Sequence, residues 1–344
     1  MKKVSKHKRI LQVLLPAATL ISLYFVPWIL IRVWIMPLPD TVEEQMNQAM
    51  DYGFDGMIVY VDQKGEEPGF HSAGWKNREE KIPADPHSLF KIASIGKLYD
   101  AVAVTKLVKS KDLSLDQTLG EFFPELTDRI EHAENITVRM LVQHQSGIPN
   151  YTDVQDYWVS PPKTSEETLS LVLDRPSEFQ PGEGYGYSNT NYLLLTNIME
   201  KVLGYSKFQY IEEEILCPLG LEHTFASLAD VNSDDLMSGY YEGVEEDIKM
   251  SDYGSMIATA EDVGVFLRAL NDGTLFDEGE EEIYASLYEY GHTGLIPGYQ
   301  SIAKYHEDID AVVIQFVNTT DFDGYTWTVS EIVYNRILRI MRRK

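Results

Sequence analysis

The spacing of hydrophobic and polar residues differs along the chain: it predicts strands near both ends and helices in between. The β-branched and apolar stretch at 56–61 predicts a strand, and the turn residues after it lead into a returning strand at about 70–75. Towards the other end, apolar stretches at 298–305 and 311–317 predict two more strands. Apolar positions within 329–340 then fall on one side of a closing helix.

The residues between these strands have mostly helical periodicity. A first helix is predicted at 41–50, and helical segments run from 94 to about 270, interrupted by Pro and Gly clusters at 147–150 and 181–184. We therefore predict an α/β (α+β) fold. An antiparallel sheet of about five strands, built from both chain ends and flanked by helices, would carry an inserted, mainly helical domain at about 100–280. A cleft is expected between the two parts.

The N-terminal segment differs from the rest of the chain. Five basic residues precede Ile10, and the 22 positions from there to Ile31 have no charged residue. About 20 apolar residues in a helix cross a bilayer, and basic flanks stay in the cytoplasm. The pattern predicts a single-pass protein of the cell membrane with three parts: a cytoplasmic tail at 1–9, a transmembrane anchor at 10–36 and an extracellular domain at 37–344. A cleaved signal peptide, with Ala17 and Ala18 as its small residues, is the alternative.

Composition and charge exclude one class of function. Of the 344 residues 44% are hydrophobic, and the formal net charge is −25. From residue 37 onward the chain carries 23 Lys and Arg against 54 Asp and Glu, a balance that repels nucleic-acid phosphates. The single cysteine, Cys217, permits no intramolecular disulfide, and its apolar neighbours predict a buried, inert thiol.

A serine and a lysine three residues apart are candidates for nucleophilic chemistry. On a helix, Ser94 and Lys97 share a face, so that the amine can reach the hydroxyl. The same Ser-x-x-Lys spacing recurs at Ser5, Ser88, Ser160 and Ser301. Context favours Ser94, because it opens the apolar, periodic stretch 98–108 and would lie at the positive end of a helix dipole.

Two further motifs follow Ser94 in the chain. Tyr187-Ser188-Asn189 is the only Tyr-x-Asn, and His292-Thr293-Gly294 is the only Lys/His-Thr/Ser-Gly triplet. Their order and spacing match the three active-site motifs of penicillin-recognising serine enzymes. The chain resembles the β-lactamase-like serine hydrolases related to class C β-lactamases and D-alanyl-D-alanine carboxypeptidases over about 41–340. Further landmarks of that family are the stretches 90–93, 141–149, 179–182 and 218–221.

The resemblance implies a β-lactamase/transpeptidase-like fold and a role for each motif residue. Ser94 would attack a carbonyl and form an acyl-enzyme, while Lys97 and Tyr187 jointly move its proton; which of them is the base stays open. Asn189 would hold the substrate amide. The opposite wall would consist of His292, Thr293 and Gly294, and the oxyanion hole of the backbone N–H groups of Ser94 and Leu295.

The implied substrates are D-alanyl peptides or esters of the bacterial cell envelope, and β-lactams, handled by a D-alanyl-D-alanine carboxypeptidase-like or penicillin-binding enzyme. His292 replaces the lysine common in class C β-lactamases and is expected to titrate near neutral pH, and Leu295 offers no hydroxyl to a carboxylate. An extracellular esterase or amidase, a weak class C-like β-lactamase and a non-enzymatic penicillin or peptidoglycan sensor remain alternatives. No metal, cofactor or obligate protein partner is expected, since the eight histidines show no metal-ligand spacing.

Overall fold

A six-stranded antiparallel sheet organises the computed structural model, which describes residue 14 and residues 22–343. Along the sheet the strand order is β3-β2-β1-β10-β9-β8. The strands are β1 (Gly56–Gln63), β2 (Gly69–Asn77), β3 (Ile82–Pro83), β4 (Phe90–Lys91), β5 (Thr224–Phe225), β6 (Tyr240–Tyr241), β7 (Ile257–Ala258), β8 (His292–Ile296), β9 (Tyr299–His306), β10 (Ala311–Val317) and β11 (Thr319–Thr320). The short strands form two small sheets, β4-β7-β5 and β11-β6.

Helices cover both faces of the sheet, and most of the described helices lie between β3 and β8 in the chain. They are α1 (Trp28–Ile35), α2 (Val42–Met50), α3 (Gly96–Ser110), α4 (Leu119–Phe122), α5 (Val138–Val142), α6 (Ser165–Ser170), α7 (Asn189–Leu203), α8 (Lys207–Ile211), α9 (Cys217–Leu219), α10 (Ala260–Asp272), α11 (Glu280–Ala285) and α12 (Thr326–Met341). A buried ion pair, Lys106 with Glu280 at 3.0 Å, joins α3 to α11.

The two central strands are apolar over most of their length because both of their faces are buried there. In β1, Ile58 and Tyr60 pack into the core on the side of α10 and the helical part, whereas Met57 and Val59 pack on the side of α2 and α12. Successive side chains of a strand point to opposite faces, so a continuous apolar run is needed where both faces are covered. The β1–β10 pair is therefore the centre of two cores.

The predicted fold class is confirmed, with one correction. Strands form at the four predicted stretches, and α2 and α12 form at the predicted ends. The sheet has six strands rather than about five, because the two-residue strand β3 adds to β2 at the edge. A strand of two residues is too short for its alternation to be recognised in a sequence.

The predicted transmembrane anchor at 10–36 lies partly outside the described residues, which include residue 14 and residues 22–36 of it. Of its described part, the last two turns form α1, in which Val33 is fully buried against the domain. Among residue 14 and residues 22–343, no helix is both long enough and apolar enough to cross a membrane.

The expectation of a buried Cys217 is wrong. Its side chain is exposed at the first position of α9, just after the buried residues Ile215 and Leu216. In a helical segment, each residue is rotated by about 100° from the one before it. The two apolar neighbours therefore face the core and leave the thiol on the outside.

A buried arginine ties the first two helices to the last one. Arg336 of α12 donates to the carbonyl oxygens of Val33, Met36 and Pro37 at 3.3, 2.9 and 2.7 Å, and its Nε donates to Gln45 Oε1 at 2.6 Å. These carbonyls lie at and beyond the C-terminal end of α1, where helical C=O groups lack intrahelical donors. The guanidinium supplies those missing donors inside the protein.

We predict that Arg336→Met lowers the free energy of unfolding by about 2 to 4 kcal/mol, since several buried acceptors lose their donor at once. The change should appear as a lower urea midpoint with unchanged activity. Arg339→Met is the matched control, because Arg339 is exposed on the same helix. Equal midpoints for the two variants would contradict the stabilising role of Arg336.

Candidate active site

Ser94 lies in a strained turn at the start of a helix. The single 3₁₀ turn Ala93–Ile95 runs directly into α3, so that Ser94 precedes the positive end of the α3 dipole. Ala93 has a φ of +50°, in the left-handed region that L-residues rarely adopt, and its N–H donates to Ser255 Oγ at 2.8 Å. Strain of this kind is typical of functional turns, where surrounding contacts hold one conformation.

An amine and a phenol contact the Ser94 hydroxyl from different segments. Lys97 Nζ lies 3.2 Å from Ser94 Oγ, and Tyr187 Oη lies 2.8 Å from it. The Lys97 ammonium also lies against the Tyr187 ring, 5.2 Å from its centre. An amine and a phenol around one hydroxyl can receive its proton and pass it on, as a general base and acid do.

Asn189 holds Lys97 in this arrangement. It is the first residue of α7, and its Oδ1 accepts from Lys97 Nζ at 2.8 Å. Its own amide nitrogen lies 3.3 Å from both Asn150 Oδ1 and Thr152 Oγ1, which fixes the orientation of the amide. In this structure the Asn189 amide therefore orients Lys97.

The opposite wall is β8, the last strand of the sheet as far as the described residues go. Thr293 and Leu295 line the cleft from it. A Cβ on Gly294 would lie 2.5 Å from the carbonyl oxygen of Ile92 and 2.9 Å from Cβ of Ala93. Only a glycine at this position lets the strand approach the Ser94 turn so closely.

His292 is neutral at physiological pH, so the expectation that it titrates near neutrality is wrong. Burial, and then the positive charge of Lys97, lower the pKa of His292 to about 4. Because this value lies below the value of about 6.5 for an unfolded histidine, the unfolded chain binds the proton more readily. His292 therefore reduces the free energy of unfolding as the pH falls from about 6.5 to 4.

The groups in contact with the His292 ring are neutral or negatively charged. Its Nδ1 lies beside the carbonyl oxygen of Thr293, its ring stacks on Tyr288, and Nε2 lies 3.5 Å from Oε1 of Glu289. The sequence reasoning missed Glu289, although it lies only three positions before His292. This wall therefore presents a neutral imidazole with a carboxylate next to it.

The site opens into a cleft of about 1060 Å³ between β8 and the helical part. Ser94, Lys97, Tyr187, Asn189, His292, Thr293 and Leu295 all line it. The other described Ser-x-x-Lys matches, at Ser88, Ser160 and Ser301, are not among its lining residues. Its aromatic lining includes Tyr151, Tyr157, Trp158, Tyr192, Tyr253 and Trp327.

Sequence reasoning gave no role to two residues at the site. Ser255, which receives the Ala93 N–H, comes from a segment without any recognisable motif. His144 lies 4.4 Å from Tyr187 between ring centres, and it belongs to a family landmark whose residues carry no sign of which side chain they contact. Among the described residues, no group of three or more His, Cys, Asp or Glu is arranged to hold a metal ion.

Comparison with curated proteins gives related enzymes and enzyme-like proteins. Penicillin-binding protein 4* of Bacillus subtilis is 30% identical over 175 residues, which cover 50% of this chain and 38% of that protein. A putative D-alanyl-D-alanine carboxypeptidase of Escherichia coli is 28% identical over 200 residues, covering 53% of this chain and 46% of that protein. The chain thus matches less than half the length of each of these relatives.

Comparison with solved structures gives the same fold at low identity. D-amino acid amidase from Ochrobactrum anthropi, solved with L-phenylalanine, aligns with a TM-score of 0.77 at 22% identity, covering 88% of this chain and 98% of that one. A penicillin-binding protein from Bacillus halodurans aligns with a TM-score of 0.74 at 22% identity, covering 87% and 99%.

The sequence model of the family described as Beta-lactamase matches residues 39–289. That range includes Ser94, Lys97, Tyr187 and Asn189 and ends three residues before His292. The protein belongs to the beta-lactamase family of serine hydrolases.

Proposed function

We propose that the protein is a serine hydrolase of the cell envelope that forms an acyl-enzyme on Ser94 with D-alanyl substrates. The observation that carries this proposal is the contact of Ser94 Oγ with both Lys97 Nζ, at 3.2 Å, and Tyr187 Oη, at 2.8 Å, in an open cleft. A serine hydroxyl becomes a useful nucleophile only beside a group that takes its proton.

The reaction proceeds in two steps. Ser94 Oγ bonds to the substrate carbonyl carbon, its proton passes to the Lys97 and Tyr187 pair, and the same pair protonates the leaving group as its bond to carbon breaks. Water then attacks the acyl carbon and gives one proton to the pair, which passes a proton to Ser94 Oγ as the bond between Oγ and the acyl carbon breaks.

The oxyanion of the intermediate binds between the two walls. The backbone N–H groups of Ser94, at the start of α3, and of Leu295, on β8, are the proposed donors. Support comes from the close approach of these two segments at Gly294. The loss of one such donor typically costs about 3 to 4 kcal/mol of transition-state stabilisation.

The β8 wall favours substrates with an uncharged leaving group. His292 is neutral down to a pH of about 4, and the carboxylate of Glu289 lies 3.5 Å from its Nε2. A substrate carboxylate beside His292 would gain no permanent charge from the imidazole and would meet the like charge of Glu289. Amides or esters of D-alanyl groups therefore fit better than a terminal D-alanine, and an amidase is among the proteins with the same fold.

D-Alanyl-D-alanine carboxypeptidase activity is the second candidate. It is favoured by the order of the three motifs and by the putative carboxypeptidase among the relatives. Both candidates use the same nucleophile and differ in the leaving group. A sensor without turnover would stop at the acyl-enzyme.

The N-terminal sequence supports attachment of the enzyme to the outer face of the cell membrane. The uncharged run Ile10–Ile31 follows five basic residues, a pattern that keeps the N-terminus inside. The substrates proposed above lie on that outer side.

We predict that Ser94→Ala lowers hydrolysis of a D-alanyl ester by roughly 10⁵-fold and removes labelling by a fluorescent penicillin. Ser88→Ala is the control, since Ser88 has the same Ser-x-x-Lys spacing but lies outside the cleft, and its buried hydroxyl has no described hydrogen-bond partner. Labelling that persists in Ser94→Ala and disappears in Ser88→Ala would contradict the proposal. Labelling of the wild type without any product release would identify a sensor.

We predict that His292→Lys raises kcat/KM for a carboxylate-bearing D-alanyl-D-alanine peptide about tenfold, since a charge-assisted hydrogen bond contributes about 1.5 to 3 kcal/mol. A neutral D-alanyl ester should change little, and in the wild type neither substrate should show a His292-dependent step between pH 6 and 7. Equal changes for both substrates would mean that His292 shapes the strand and does not select the leaving group.

We predict that protease added to intact cells digests the domain at 37–344 and leaves a short membrane-bound fragment, because the basic tail holds the N-terminus in the cytoplasm. Immunoblots of the cell and medium fractions measure this. A soluble product that begins near residue 37 would instead support the cleaved signal peptide.

A further inference from the structure

One buried residue contacts the chain on both sides of Tyr187. The backbone carbonyl oxygen of His144 accepts the N–H of Gly186 at 3.0 Å, and its side-chain Nδ1 accepts the N–H of Ser188 at 3.2 Å. The same residue therefore binds the residue before the tyrosine and the residue after it. Its ring also lies against the Tyr187 ring, with centres 4.4 Å apart.

These contacts determine the state of the imidazole. A backbone N–H can only donate, so Nδ1 must be the unprotonated nitrogen and the proton must be on Nε2. Asn191 Nδ2, 3.3 Å from Nδ1, can donate to the same nitrogen. Burial, and then the positive charge of Lys97, lower the pKa of His144 to about 3, which keeps the ring in this state.

The backbone of His144 is held in an unusual conformation to make both contacts. Its φ is +57°, in the left-handed region, and only 2% of the residue is exposed. Asn tolerates this region better than most other residues with a side chain. An asparagine side chain also offers an acceptor oxygen close to the position of Nδ1.

We propose that His144 is a positioning residue that holds Tyr187 within reach of Ser94 by accepting the N–H groups on both sides of the tyrosine. This inference rests on the proposed function, because it assigns His144 to the proton transfer at Ser94. A displacement of about 1 Å in a catalytic group can reduce a rate about 100-fold. His144 itself touches no reacting atom and acts through Tyr187.

The test compares His144→Phe, which keeps a ring but loses the acceptor, with His144→Asn, which keeps an acceptor and suits the backbone. Hydrolysis of a D-alanyl ester by the full chain gives kcat and KM for each variant. We expect His144→Phe to lower kcat about 10- to 100-fold with KM changed less than threefold, and His144→Asn to recover kcat to within about fivefold of the wild type.

His132→Phe is the matched control. His132 is another histidine in the left-handed region, with a φ of +64°, and its side chain contacts Gln180 rather than the neighbours of Tyr187. The control thus carries the same substitution and the same backbone strain. It should retain the kcat of the wild type below its unfolding temperature.

Each outcome decides between a positioning role and a packing role. Equal kcat for His144→Phe and His132→Phe would overturn the proposal, and so would a kcat for His144→Asn as low as that of His144→Phe. If His144→Phe does not fold, His144→Ala, which also lacks the acceptor, takes its place in both comparisons. A wild-type protein without esterase activity or penicillin labelling would refute the proposed function itself, whereas an active wild type with unaffected variants would refute only the role of His144.

Discussion

The site depends on one hydrogen bond between segments that are distant in the chain. Tyr187 Oη lies 2.8 Å from Ser94 Oγ, and the two residues are 93 positions apart. Lys97 is three residues from Ser94 and reaches the same hydroxyl through local helical structure, whereas Tyr187 reaches it only because the fold brings its segment close. Three features keep these segments close enough for this hydrogen bond to form. They are the tight packing at Gly294, the contacts of Asn189 and the hydrogen bonds of His144.

The pattern of apolar residues predicted the architecture well because buried positions repeat with the period of the helix or strand that contains them. The largely apolar strands β1 and β10 reflect a sheet covered on both faces, and the motifs at Ser94, Tyr187 and His292 converge on one cleft. What the pattern could not supply was the partner of each side chain. The edge strand β3 has only two residues, too few for an alternating pattern to be recognised. The exposure of Cys217 depends on which face of its helix packs against the core.

The titration of His292 illustrates the same limit for electrostatics. A histidine in isolation titrates near neutral pH, and nothing in the triplet itself alters that expectation. The shift arises from its burial on β8 and from the charge of Lys97, which lies 195 positions earlier in the chain. The charge at a site thus depends on residues that only the folded protein brings together. The effect of a histidine instead of a lysine at position 292 can therefore be judged only from the structure.

The pairing of β1 with β10 has a consequence for how the protein is made. Met57 pairs with Val317, 260 positions later, so the first hairpin leaves the ribosome long before its central neighbour exists. Until then β1 is an open edge with apolar side chains on both faces, the kind of surface that recruits other strands. Non-local pairing of this kind also slows folding. Synthesis therefore passes through an aggregation-prone stage that ends only when the last strands are made.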